Sequence, residues 1–477
     1  VVNLLNYLDR NIIFALFEPI KRDLHLTDTQ LGWLGSAYIL VFSVAALPFG
    51  VLSDLRSRRA VIAGGVAMWS AFTFLGGLAR GFWQLFACRA AVGIGEAAFA
   101  PAASSLVADY YPEKGRAAAM GILSSGLAFG GVLGILLGGV LERHYGWRVA
   151  FMAVGVPGFL CALLVSRLRD PTRAHAPVRL TPLVVGRGVR RFVLQFHPLI
   201  LGTLAGSLAA LLLELRTGAD SRADIAALGA GVGLGVVAQL VFWVRAMRAG
   251  QPDRMPLGSH LDEAVAELAE AGHRVLGTPT LLYVFVSGAL ISFGMNGIVG
   301  WGPAFLTREL GLASADAATL LGGSGLVAGV AGTLAGGAVA DWGFRRDRRA
   351  RVVAVAASLT LGSLLAIATL LVRDLAAFRG LFLAAFFFLS WNAGPLAAII
   401  FDVVPARVGA SVAGAYYLFI HLAGDAIALP LVGFLSDTIG LATAVLVLPV
   451  VSLAGGVVMF GAAGKVAGDM ARVAAPP

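Results

Sequence analysis

Six ionisable side chains lie where an apolar helix would bury them. Asp9 and Arg10 sit in one stretch, Arg89 and Glu96 in a second, and His421 and Asp425 in a third, each otherwise built mainly from Leu, Ala, Val, Ile, Phe and Gly. A charge at the bilayer centre costs at least about 3 kcal/mol on insertion scales, so such residues mark a substrate or ion pathway. Residues seven apart on a helix are nearly eclipsed. Arg89, Gly93 and Glu96 therefore share one stripe, with Gly93 leaving room for a ligand or a neighbouring helix. Asp9 and Arg10 stand about 100° apart and can face different partners. One arrangement holds a carboxylate of Asp9 or Glu96 between arginines, ready to take a proton when an anionic substrate claims the guanidinium. The other is a static ion pair that ties the first span to the fourth. His421 and Asp425, at i and i+4, share a face and form either a second titrating pair or a satisfied structural histidine.

The elements that position these residues follow from a repeat. Gly50-x3-Asp54-x3-Arg58-Arg59 returns 287 residues later as Gly337-x3-Asp341-x3-Arg345-Arg346. Asp109, Pro112 and Gly121 fall opposite Asp402, Pro405 and Gly414 at an offset of 293, and Gly139 and Gly146 opposite Gly433 and Gly440 at 294. Two halves on one plan are the signature of a transporter built from parallel repeats around a midplane site. The repeat also sorts the charges. Those present in both halves are architectural: Asp54, Arg58, Arg59, Asp341, Arg345 and Arg346 are expected to form a cytoplasmic gate, or to enforce topology alone. Asp9 and Arg10 fall opposite Asn296 and Gly297, Arg89 and Glu96 opposite Phe382 and Leu389, and His421 and Asp425 opposite Ala128 and Val132, so these charges were placed for a task.

Composition sets the class. The chain has 477 residues, of which 58% are hydrophobic and only 13% charged, and its mean hydropathy is +0.85, against roughly a quarter charged in soluble proteins. About twelve stretches are long enough to cross a bilayer, at 1–20, 29–53, 60–79, 82–108, 116–140, 148–167, 279–305, 315–340, 351–372, 376–401, 408–435 and 441–463. Lipid offers backbone groups no partner, so each must be a helix. The fold class expected is an all-α polytopic membrane protein with two pseudo-symmetric six-helix bundles, 1–167 and 279–477.

Between them, 168–278 opens with a basic linker (Arg167, Arg169, Arg173, Arg179, Arg187, Arg190, Arg191). It continues with two apolar runs at about 192–213 and 225–247, read as an inserted hairpin or as two helices on the bilayer surface. An amphipathic helix follows around Leu261, Val265 and Leu268.

The net charge of +9 collects in short loops, which fits the positive-inside rule and not nucleic acid. Arg56, Arg58, Arg59, Lys114, Arg116 and the run Arg345 to Arg351 put both termini in the cytoplasm, with Lys21, Arg22, Arg143 and Arg148 as contrary charges on the other side. The chain begins inside its first span, so a preceding segment is expected, and no signal peptide is visible. Cys88 and Cys161 lie within apolar runs and suggest neither disulfides nor metal. No GxSxG, HExxH or P-loop is present, and Gly93-x-Gly95-x-x-Ala98 lies inside a span, so neither an enzyme nor a cofactor is indicated. Glycines every fourth position at 126, 130, 134 and 138, and the series 322, 325, 329, 332 and 336, allow helices to approach and slide.

The loop from Asp54 to Arg59 resembles that of the major facilitator superfamily, with Leu55 and Ser57 in place of a basic residue and glycine. Arg89-x3-Gly93-x-Gly95 resembles the fourth-helix motif of its proton-coupled members. Asn6-Tyr7-x-Asp9-Arg10, Arg89-x3-Gly93-x-Gly95-Glu96-Ala97, Trp301-x-Pro303-Ala304-Phe305-Leu306 and His421-x2-Gly424-Asp425 together resemble the spinster family, over the whole chain except the insert. The resemblance implies transport of lysophospholipids or sphingosine-phosphate-like lipids coupled to protons. It also implies that Asp9, Arg10 and Glu96 carry coupling and headgroup recognition. Together with the buried-charge reading, proton coupling is expected at Asp9, Glu96, Asp425 and His421, and headgroup contact at Arg10, Arg89, Asn6 and Tyr7. A stretch from Gly121 to Gly139 resembles the fifth-helix motif of exchangers, but Ile135 stands where that motif has proline. The partners expected are a lipid substrate and protons, for a monomer in the inner cell membrane. A symporter of small organic anions is the alternative, kept open by Asn296, Asn392 and Tyr416; a scramblase or scaffold is a third reading.

Overall fold

The computed structural model describes residues 1–55, 57–111, 113–168, 197–198, 200–206, 208–210, 212–213, 222–248, 272 and 274–474. Among the described residues the secondary structure is helical, and eight helices are long and apolar enough to cross a membrane. The first half comprises α1 (Val2–Ala15), α2 (Phe17–Leu24), α3 (Asp28–Leu55), α4 (Arg58–Gly76), α5 (Phe82–Ala97), α6 (Phe99–Tyr110) and α7 (Glu113–Ser166). Within the insert lies α8 (Arg222–Arg248). In the second half follow α9 (Pro279–Glu309), α10 (Ser314–Phe344), α11 (Ala350–Leu371), α12 (Leu375–Leu389), a 3-10 turn (Ser390–Asn392), α13 (Ala393–Asp402) and α14 (Ala406–Ile420). A π-turn (His421–Asp425) leads to α15 (Ala426–Ile439), α16 (Leu441–Ala444), α17 (Val447–Ala462) and α18 (Val466–Ala474).

Several spans expected as single rods are interrupted. The first bends at Leu16, between α1 and α2. Pro19 falls in the first turn of α2, where a missing N–H costs nothing. The fourth span breaks at Ala98, and 293 residues on the tenth breaks at the 3-10 turn around Trp391. Interruptions at corresponding places in two halves are a known pointer to transporter binding sites. The fifth and sixth spans, expected as two helices, run on as α7. Gly146, with φ +80°, adopts the left-handed conformation that turns the chain there.

The glycine ladder of α7 positions the chemistry. A Cβ at Gly130 would stand 2.3 Å from the Leu4 carbonyl oxygen, and one at Gly134 2.4 Å from that of Leu8. Helix α1 therefore lies backbone-to-backbone on α7. The α10 ladder serves other partners: a Cβ at Gly332 would stand 2.1 Å from the Phe387 carbonyl oxygen, and at Gly336 2.5 Å from Trp391 Cα.

The chain divides into two compact units: residues 1–176, 278–405 and 416–477 in one, and 177–277 with 406–415 in the other. In the second unit two helical stretches cross at small residues. A Cβ at Gly202 would stand 2.5 Å from Gly235 Cα, and one at Gly231 2.4 Å from Gly206 Cα. The His197 and Phe242 rings meet edge-on at 5.1 Å. Pairs whose numbers rise on one helical stretch as they fall on the other show that the two run antiparallel. Leu201, Leu204, Leu208, Leu234 and Val237 lie on their exposed surface. The basic linker from Arg169 to Arg191 and the amphipathic helix around 261–270 lie outside the described residues.

Candidate functional site

Asp9 and Arg10 project from α1 and meet Arg89 and Glu96 of α5. All four are buried, with relative exposures of 2%, 9%, 1% and 1% respectively. The pairs are crossed. Arg10 Nε donates to Glu96 Oε2 at 2.5 Å, while Arg89 Nη1 donates to Asp9 Oδ1 at 3.3 Å. Arg89 also reaches the α1 backbone, donating to the Asp9 and Arg10 carbonyl oxygens, both at 3.4 Å. A hydroxyl from a third helix, Thr73 of α4, donates to Asp9 Oδ2. Charge-assisted bonds of this kind are the strong ones, and losing one partner would leave the other charge buried and uncompensated.

The predicted α5 stripe is present, and Gly93 has a specific use. A Cβ there would stand 2.5 Å from the Tyr38 carbonyl oxygen, so α3 approaches α5 backbone-to-backbone beside the ion pairs. That approach delivers two aromatic rings. Arg10 Cζ lies 4.5 Å from the Phe42 ring centre, 4.8 Å from Tyr7 and 5.5 Å from Tyr38, and Arg89 Cζ lies 5.3 Å from Tyr38. Arg10 thus sits in an aromatic cage closed on one side by a carboxylate. Each such ring contact is worth about 0.5–2 kcal/mol. Among the described residues Glu96 Oε1, Arg89 Nε and Asn6 Nδ2 are buried without a hydrogen-bond partner. Tyr7 flanks Arg10, and its carbonyl oxygen accepts from Asn11 at 2.8 Å.

The second-half cluster is built at the π-turn, where one extra residue per turn re-aims the side chains. His421 Nδ1 and Asp425 Oδ2 are 2.6 Å apart, Ser292 of α9 donates its hydroxyl to Asp425 Oδ1, and Asn296 donates to the Asp425 carbonyl oxygen at 3.3 Å. The same α3 rings connect this cluster to the first. Phe42 meets His421 edge-on at 6.2 Å, and Tyr38 packs in one apolar cluster with Ile39 and Ala426.

The predicted gate residues lie apart from this centre. Asp341 accepts from Arg351 Nε at 3.1 Å and Nη2 at 2.7 Å, and Arg351 Nη1 donates to Asp402 at 2.6 Å. Arg346 covers the Trp342 ring at 4.2 Å, and Arg345 is exposed. Arg59 donates to the Leu168 carbonyl oxygen at 2.8 Å, and Arg58 opens α4. The Asp54 side chain lies outside the described residues.

Sequence reasoning missed Thr73, Tyr38, Phe42 and Ser292 in the two clusters, and Arg351 as the partner of Asp341. A signal existed for one pair: Tyr38 and Phe42 stand at i and i+4, on one face of an apolar helix.

The Major Facilitator Superfamily profile matches residues 1–424. An MFS-type efflux pump of Mycolicibacterium smegmatis is 35% identical over 166 residues, 35% of this chain and 39% of that protein. The sphingosine-1-phosphate transporter SPNS2 of Xenopus tropicalis is 31% identical over 180 residues, 37% of this chain and 35% of that one. The aligned stretches thus span little more than about a third of either relative's length. Among solved structures, a bacterial homologue of the human lysosomal transporter Spinster, in an inward-facing and unoccupied conformation, superposes with a TM-score of 0.70 at 22% identity. The match covers 99% of this chain and 95% of that one. The chain belongs to the Major Facilitator Superfamily: it is a membrane protein with that fold and with Spinster-type relatives.

Proposed function

We propose that this major facilitator moves single-chain lipids with an anionic headgroup, lysophospholipids or sphingosine-phosphate-like molecules, coupled to protons and by alternating access. The carrying observation is the crossed quartet. Two guanidiniums and two carboxylates are buried together, and Arg10 is held by aromatic faces as well as by Glu96. A phosphate arriving at Arg10 competes with Glu96 for the guanidinium, and a carboxylate released from its cation in a low-dielectric site takes up a proton. Proton uptake and headgroup binding are then one event. Asp9 and Arg89 form the second, longer pair of the same exchange at 3.3 Å, with Tyr7 against Arg10 and buried Asn6 as a further headgroup contact. The likeness to a sphingosine-1-phosphate transporter supports the lipid assignment.

In this reading His421 and Asp425 are a second proton site, the Asp341 loop and its repeat, Asp54 with Arg58 and Arg59, form a gate, and the termini face the cytoplasm of an inner-membrane protein. The test is reconstitution in liposomes with an imposed pH gradient, following labelled lysophospholipid and gluconate. Lipid movement that depends on the gradient and is lost in Glu96→Gln and Asp9→Asn supports the proposal. Movement of gluconate alone assigns the site to small organic anions, and lipid movement indifferent to gradient and substitution identifies a scramblase.

A further inference from the structure

At the end of α3 opposite the Asp54 loop, one helix terminus is completed by two halves of the chain. Thr27 begins a capping box: its hydroxyl accepts from Gln30 N at 3.2 Å, and the Gln30 amide oxygen accepts from Thr27 N at 2.9 Å. Of the four N–H groups a helix leaves open at its start, the box satisfies the first and the last. The two between belong to Asp28 and Thr29. Both are taken by Asp437 of α15, in the other half, at 3.0 and 2.9 Å, and the Thr29 hydroxyl donates to the same carboxylate at 2.6 Å.

The exchange is reciprocal. Arg308 of α9 places Nη1 and Nη2 on the two oxygens of Asp28 at 2.6 and 2.8 Å and Nε on Glu18 at 2.6 Å, and Ser436 donates to Asp28 as well. Lys21 adds a bond to Asp28 at 2.5 Å from within the first half. Beneath these groups the backbones touch. A Cβ at Gly433 would stand 2.3 Å from the Asp28 carbonyl oxygen, and one at Gly32 2.3 Å from that of Leu429.

The chain also holds a permanent version of the same device. Asp469 of α18 accepts from Thr280 N at 2.9 Å and from its hydroxyl at 2.7 Å at the start of α9, but helix and carboxylate there belong to one half. Separation of the halves at this end would leave that cap in place and break the one at α3.

We propose that Asp437 is a detachable N-cap: it completes the first turn of α3 only while the halves meet at this end, and so sets how often this end opens. The motion invoked is the alternating access proposed above, whereas the cap itself is independent of what is transported. When the end opens, Asp28 N and Thr29 N lose their acceptor. The usual cost of losing a helix cap corresponds to a shift in population of about five- to tenfold.

Spin labels at exposed positions on the two sides, Arg22→Cys and Ile439→Cys, in a background with Cys88 and Cys161 replaced by Ala, report this end directly by electron–electron distance measurement, with no substrate present. Asp437→Ala is expected to raise the open-to-closed ratio about five- to tenfold. Thr29→Val shifts it in the same direction by less, and Asp437→Asn falls between, because one acceptor oxygen becomes a donor. Asp469→Asn lowers thermal stability and leaves the distances unchanged. An unchanged distribution in folded Asp437→Ala overturns the proposal, as does an equal shift in Asp469→Asn. Should Asp437→Ala not fold, an unchanged Thr29→Val distribution overturns it by itself. A protein that moves no lipid but shows these shifts would sink the substrate assignment and leave the cap standing.

Discussion

The two halves share a helix plan but not a polar core. In the first, two carboxylates are matched by two arginines, whose guanidiniums lie against aromatic rings. In the second, Asp425 is held by a histidine, a serine and an asparagine, with no guanidinium among its hydrogen-bond partners in the described residues. Arginine stays charged under all physiological conditions, whereas histidine titrates there. On the proposed function, the first half would then carry anion recognition and the second a modulating role.

The largest effect is expected from Glu96→Gln, which takes the counter-charge from Arg10. Breaking a buried pair by one partner costs about 3–5 kcal/mol, and gradient-driven lipid uptake should fall to the level of protein-free vesicles. Full gradient-driven uptake in the variant would move coupling out of the first half and erase the contrast. Next comes Phe42→Leu, which removes a ring at 4.5 Å from Arg10 and its edge contact with His421. A loss of about 0.5–2 kcal/mol predicts weaker lipid binding by a few-fold or more, measurable by titration calorimetry, with the variant still folded. His421→Gln keeps a hydrogen-bonding side chain beside Asp425 but cannot become a cation. It is expected to flatten the dependence of uptake on external pH while leaving gradient-driven transport intact. Abolished transport would promote the second half from modulator to primary site.

Much of this site could be read in the sequence because burial makes charge conspicuous. Asp9, Arg10, Arg89 and Glu96 stand out against apolar spans, and the repeat offset separates them from the architectural loops. The spacing of Arg89, Gly93 and Glu96 gave their shared stripe. It could not give the crossing of the pairs, since which arginine meets which carboxylate depends on how α1 is rotated on the α7 glycine ladder. Thr73, Tyr38 and Phe42 were hidden for the opposite reason: a hydroxyl or an aromatic ring inside an apolar span carries no contrast. The breaks at Leu16, Ala98 and the 3-10 turn were equally silent, because Leu, Ala and Trp are acceptable helix residues and tertiary packing decides where the hydrogen-bond ladder yields. Asp437 was invisible as a cap of α3 because the partners are remote in the chain.

The smallest effect separates the buried ion-pair core from the rim at Asp28. Burial pushes the Asp28 carboxyl up, but hydrogen bonds and charge from Arg308, with bonds from Lys21 and Ser436, outweigh it and hold the pKa down to about 2. For a carboxylate depressed in the folded state, the stability it contributes is fully present above the ordinary carboxylate range and is lost only as pH falls through the folded value. Between pH 5 and 8, taken as the roughly physiological window, the rim should therefore not change its protonation. The difference in apparent Tm between Asp28→Asn and the unsubstituted protein is expected to stay constant across that window. A difference that shrinks on acidification toward pH 5 would mean that the rim itself senses protons. A constant one assigns any pH-driven change of conformation to groups deeper in the molecule, and makes the Asp28 and Asp437 contacts a lock whose strength is set by geometry and not by the proton gradient.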